Sequence, residues 1–122
     1  MAPYRLSASA QADIIDILLY TELHFGAAAR ERYEALIITA LRDIAVDPGR
    51  PGAASRPELG ADARTWHLRL SRERARATTG TVRRPRHFIL FRIQEPGLVE
   101  VGRILHDAME LERHRLTDEE WD

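Results

Sequence analysis

The stretch VGRILHDAMELERH, Val101 to His114, places Arg103 and His106 inside an apolar run where a strand that only filled a core would carry Val or Leu. A guanidinium and an imidazole presented together at a strand's end can bind an anion or a protein target, since one offers a rigid fork of donors and the other titrates near neutral pH. Counting by twos from Val99 sets Val101, Arg103 and Leu105 on one face and Leu98, Glu100, Gly102, Ile104 and His106 on the other. Arg103 then falls on the apolar face. The structural alternative is a bulge at Gly102 that turns Arg103 outward, or an arginine buried against a carboxylate such as Asp107. Residue physics leaves both readings open.

Other chemistries find less support. The five histidines form no H-x-x-x-H pair, and His106 and His114 stand eight residues apart across a strand-to-helix junction, so no metal site and no cofactor is expected. Phosphate-binding, dinucleotide-binding and serine-hydrolase glycine motifs are missing. Asp13, Asp16 and Glu22 could form an acid/base set, but such spacing more often marks the solvated face of an amphipathic helix. All 18 basic residues are arginine, so no lysine amine is available as acid, base or Schiff-base partner. The run SRERARATTGTVRRPR carries six arginines against one glutamate and can meet phosphates or an acidic partner. With no interleaved aromatic to stack on bases, the acidic partner is preferred.

The elements that position these residues follow from periodicity. APYRLS reads as a short strand ending at candidate helix caps Ser7 and Ser9. From Ala10 a helical stripe of Ile14, Ile15, Leu18, Leu19 and Leu23 runs to Gly26, with Asp13 and Asp16 on the other face. A second helix begins near Ala28 and carries Tyr33, Leu36, Ile37, Ala40, Leu41 and Ile44 until DPGRPG ends it, making an antiparallel hairpin. RTWHLRL alternates as a half-solvated strand, HFILFRI is apolar on both faces like a central strand, and LVEVGRIL pairs beside it through QEPG. DAMELERH has helical spacing. The expected fold is α+β: an N-terminal helical hairpin packed on a small twisted antiparallel sheet, with the opening strand at an edge and a short C-terminal helix.

At 122 residues with 44% hydrophobic content, residues 1–122 are expected to form one domain, with the acidic tail 117–122 flexible. The absence of cysteine, of a signal-peptide pattern and of a long apolar run points to a cytoplasmic protein without a membrane partner. A net charge of -1 gives no global attraction to nucleic acid.

The segment PRHFILFRIQEPGLVEVGRILHDAMELERH strongly resembles the C-terminal half of the ParE toxins of the RelE/ParE superfamily. YRLSASAQADIIDILLYT, ERYEALIITALRDIA and RPELGADARTWHLRLSR agree more loosely, so the resemblance spans nearly the whole chain. It implies a non-enzymatic toxin of a type II toxin-antitoxin system that inhibits DNA gyrase, is neutralised by a ParD-like antitoxin and reaches operator DNA only through that antitoxin. Target contacts would fall on Arg103, His106, Met109 and Arg113. Antitoxin contacts would fall on Ile15, Leu19, Leu23, Phe25, Tyr33, Arg72, Arg74 and Arg76, because the first helix is apolar over more than one stripe and a disordered acidic tail suits leftover apolar surface beside arginines. The alternative is the RelE branch, a ribosome-dependent mRNA endoribonuclease, with His106 as acid and Arg69 and Arg103 on the phosphate. The missing lysine, and a last tyrosine as early as Tyr33, weigh against it.

Overall fold

Ser7 starts the first helix by a double commitment: its Oγ accepts from the Ala10 N–H at 2.9 Å and donates to the Gly102 carbonyl at 2.6 Å, so helix start and sheet are joined at one buried hydroxyl. A computed structural model describes residues 4–95, 97–109 and 111–122. In it β1 (Tyr4–Leu6) leads into α1 (Ala8–Phe25), and Gly26, at φ +93°, is the only residue between α1 and α2 (Ala27–Val46). That left-handed conformation suits glycine and folds the helices back as the expected hairpin.

Four further strands follow, β2 (Ala54–Ser55), β3 (Arg64–His67), β4 (His87–Glu95) and β5 (Leu98–His106), in the sheet order β1-β5-β4-β3-β2. The HFILFRI stretch, apolar on both faces, is indeed the middle strand. The sheet is mixed, since β1 pairs parallel to β5 (Tyr4 with Val99, Leu6 with Val101) while the other pairings are antiparallel. Leu36, Ile37, Ala40 and Ile44 of α2 and Leu18 of α1 bury against Trp66, Ile89, Phe91, Val99, Val101 and Ile104. A smaller cluster of Leu59, Ala63, Leu90, Leu116 and Trp121 lies apart from that main core.

Several local expectations are corrected. RTWHLRL is extended only to His67; Leu68–Arg74 is a 3-10 helix, because the Arg69 N–H is captured by His67 Nδ1 and Ser71 must turn inward to Trp66 and Asp43. DAMELERH forms no α-helix among the described residues; a turn at Asp107–Met109 is followed by a 3-10 helix, Leu111–His114, and Glu110 lies outside the described residues. The tail expected to be flexible is packed: Thr117 and Glu120 form a reciprocal capping box, and Trp121 is 2% exposed.

The bulge at Gly102 is real. Phe91 pairs with Val101 but Leu90 pairs with Arg103, so Gly102 is the extra residue and face parity reverses beyond it. Ile104 and His106 therefore share the helix-facing side with Val101, which counting by twos could not reveal. Gly102 also admits the tail, since an added Cβ would sit 2.8 Å from Trp121 Cζ3 and closer still to Leu116. Gly102→Ala is expected to destabilise by about 1–3 kcal/mol through overpacking, measured by urea unfolding. Unchanged stability would refute the close fit.

Candidate functional site

In an antiparallel sheet the end of one strand and the start of the next meet at one edge. His67 ends β3, His87 starts β4 and His106 ends β5, and the register sets His87 opposite His106 and His67 opposite Phe88. Two of the rings meet there: His87 and His106 stand edge to face at 5.3 Å, and Tyr33 reaches down from α2 to place its hydroxyl 2.6 Å from His87 Nδ1. Asp107, just past β5, accepts from His67 Nε2 at 3.0 Å and Arg86 Nε at 3.0 Å.

The hydrogen bonds dictate the tautomers. Backbone N–H groups of Arg69 and Ala108 donate to Nδ1 of His67 and His106, so those nitrogens carry lone pairs and the ring proton of each neutral imidazole lies on Nε2. Tyr33 accepts from the Arg86 N–H at 3.2 Å and gives its own proton to His87 Nδ1, which assigns His87 the same tautomer. Burial pushes Tyr33 up to about 12, while burial, aided by the charge of His106, pushes His87 down to about 4. Burial raises the Asp107 carboxyl, but hydrogen bonds from His67 and Arg86 outweigh it and hold it below its ordinary value.

One consequence is a pH-dependent stability. The folded value of His87 lies below its ordinary 6.5, so the unfolded chain binds more protons between about 4 and 6.5. The neutral-histidine contribution is complete above pH 6.5 and declines by up to about 3 kcal/mol as the pH falls to about 4. Denaturation across that window should show the slope, and His87→Gln should flatten it. Long-range nitrogen NMR should also find all three rings as Nε2–H; an Nδ1 proton on His67 or His106 would contradict the geometry.

Tyr33, His87 and His106 of this cluster line a cleft of ≈ 1160 Å³, together with Tyr20 and Phe25 of α1, Arg32 of α2 and Arg83, Arg84 and Arg86. A neighbouring hollow of ≈ 520 Å³ shares those last arginines and adds His67, Arg69, Arg72 and Asp107. Among the described residues no group of three or more histidines and carboxylates is placed to hold a metal ion.

The expected site residues divide. His106 lines the cleft, but Arg103 is bound by Asp13, whose carboxylate receives Arg103 Nε at 2.7 Å, Nη2 at 3.0 Å and the Ile104 N–H at 2.9 Å. Sequence spacing leaves Asp13 solvated and offers Asp107 as the arginine's partner; the structure instead pairs Arg103 with Asp13 of α1. Met109 is exposed on the turn after β5, and Arg113 is exposed on the Leu111–His114 helix. Ile15, Leu19, Leu23 and Phe25 are 58%, 59%, 82% and 69% exposed; the first three, four residues apart, form one apolar stripe on α1, while Phe25 at the helix end lines the cleft. Tyr33 is not part of it, being buried against His87. Arg72 donates to the Arg83 carbonyl, Arg74 grips Asp43 and Arg76 is exposed. The grouping of His67, His87, Asp107 and Tyr33 escaped sequence reading. Its signal was there: each histidine occupies the same end of an adjacent strand.

A helical hairpin laid across a five-stranded sheet, with a basic cleft at one strand edge and an exposed apolar stripe on the first helix, makes this a small α+β protein. The chain belongs to the ParE toxin family: the family described as ParE toxin of type II toxin-antitoxin system, parDE, matches residues 4–111. It is therefore a toxin of the type II toxin-antitoxin class. Comparison with curated proteins returns no match. No helix among the described residues is long and apolar enough to cross a membrane.

Proposed function

We propose that this ParE-family toxin acts in the cytoplasm as a non-enzymatic inhibitor of DNA gyrase and is neutralised by a ParD-like antitoxin lying along α1. The exposed stripe of Ile15, Leu19 and Leu23, with exposed Phe25 at the end of the helix, carries this reading, because such apolar surface is costly to leave in water and suits an amphipathic partner. Exposed Arg76 on the adjoining loop supplies charge for an acidic segment. Gyrase as target rests on family membership and on the poor fit of the strand-edge cluster to acid/base catalysis. At neutral pH Tyr33 holds its proton, His87 is uncharged and Arg103 is committed to Asp13.

Purified toxin is expected to block supercoiling by gyrase or to accumulate cleaved DNA, and added antitoxin to reverse it. Leu19→Glu with Leu23→Glu should abolish that reversal while leaving gyrase inhibition intact. His106 beside the cleft arginines favours one second reading, cleavage of translated mRNA. New cuts in ribosome-bound messages, with gyrase unaffected at stoichiometric excess, would replace the gyrase reading with it.

A further inference from the structure

We propose that the cleft floored by His87 and His106 is a nucleotide-binding site, taking a phosphate on its arginines and a base against Tyr20 or Phe25. The site does not depend on gyrase being the target; it shares Phe25 with the proposed antitoxin surface and its cleft with the mRNA reading. Its first support is charge. Six arginines, at 32, 69, 72, 83, 84 and 86, line the cleft and its neighbouring hollow, and Asp107 is, among the described residues, the only carboxylate lining either. Asp107 is already engaged by Arg86 and His67, and Arg72 faces the largely exposed Glu73. Arg69, Arg83 and Arg84 have no carboxylate partner among the described residues. Such an excess of guanidinium is costly through self-repulsion and draws an anion.

The second support is the floor. With Nδ1 of His87 and of His106 occupied by Tyr33 and the Ala108 N–H, each neutral ring has a single donor, Nε2–H, to offer an oxygen. These donors need no protonation, so the floor holds an oxyanion over the physiological pH range. The third support is the wall. Tyr20 is stacked by His24 at 4.1 Å on one side only, and Phe25 meets His24 at 6.4 Å in a tilted contact, so both exposed rings retain a face for a base. The arginine run carries no aromatic of its own; α1 brings the rings to it.

Charge stoichiometry favours phosphate over peptide carboxylate. A side-chain carboxylate has one charge and two acceptor oxygens, whereas a strand repeats a phosphate at each step and can occupy the cleft and the hollow together. The nucleotide could be free or part of a single strand, and the two differ in a binding experiment.

Fluorescence anisotropy of the full-length protein with labelled oligothymidine and oligouridine should show binding that weakens with salt. Arg83→Ala with Arg84→Ala should weaken it about tenfold or more and lower the salt slope by about 0.7 per lost phosphate contact. Phe25→Ala should weaken it about fivefold or more through lost stacking. Arg42→Ala, an exposed α2 arginine that lines neither cavity, should bind like the parent. Displacement by a mononucleotide at equal phosphate concentration identifies a free nucleotide as the ligand, and failure to displace identifies a strand; either result supports the site. No binding, equal displacement by polyglutamate at matched charge, or equal loss in Arg42→Ala would overturn it. Circular dichroism melting keeps unfolding from being read as lost binding, and Arg69→Ala, in the hollow, provides a second variant for the same comparison.

Discussion

Asp43→Ala is expected to destabilise the protein by about 2–4 kcal/mol. Asp43 lies buried at the end of α2 and receives Ser71 Oγ at 2.6 Å, Arg74 Nη2 at 2.6 Å and Nε at 3.1 Å, with Arg50 at 3.5 Å. Ser71 in turn accepts the indole N–H of Trp66 at 2.9 Å, so one carboxylate orders the 3-10 helix, a core tryptophan and the start of the arginine loop. The expected loss stays below the top of the range for buried pairs because Arg74 is 48% exposed and partly screened by water. Burial raises the Asp43 carboxyl, but hydrogen bonds from Arg74 and Ser71 override it and place it below the ordinary 3.8. A depressed carboxylate stabilises above its unfolded value, so this contribution is present at neutral pH and lost as the pH falls below 3.8. Urea unfolding of Asp43→Ala, Arg74→Met and the double variant checks the account, since a coupled pair must lose less together than the sum of its parts. Additive losses would show that the network is not coupled. The result also bears on function, because Arg74 was an expected antitoxin contact: impaired neutralisation in Arg74→Met would first have to be separated from impaired folding.

The second large effect concerns Asp13. Its removal leaves the Arg103 guanidinium and the Ile104 N–H without their acceptor on the face of α1, for an expected cost of about 2–3 kcal/mol. Arg103→Ala should cost less, about 1–2 kcal/mol, because Asp13 keeps the Ile104 N–H. The same pairing raises the Arg103 guanidinium still further above its ordinary value, through its hydrogen bonds to Asp13. Thermal unfolding of both variants, beside a toxicity assay, distinguishes two roles. If Arg103→Ala unfolds like the parent yet loses toxicity, Arg103 is a target contact and the ion pair is incidental. If stability and toxicity fall together, the arginine serves to hold β5 against α1.

The helices and the middle strand could be read from the chain because their information is local. Ile37, Ala40, Leu41 and Ile44 repeat at the helical period, and HFILFRI has no polar face, so each element announces its own burial. Gly26 and the DPGRPG break mark ends by backbone chemistry alone. The strand reading of RTWHLRL failed at Leu68 because alternation of apolar residues also fits a tight helix once Leu68, Ser71 and Ala75 turn inward together. The tail misled for a related reason: TDEEWD is acidic, but one tryptophan facing Gly102 outweighs its charged neighbours.

For VGRILHDAMELERH the division is sharper. Residue types alone established that a guanidinium and an imidazole interrupt an apolar strand and that a bulge at Gly102 was one resolution. Which partner each residue takes was a matter for the folded molecule. Asp13 stands 90 residues from Arg103 and Tyr33 stands 54 from His87, and no periodicity reaches that far. Such contacts exist only after the hairpin docks on the sheet; the single extra residue in β5 then reverses the faces beyond it and carries His106 into the cleft, while Arg103 is taken up by Asp13 of α1.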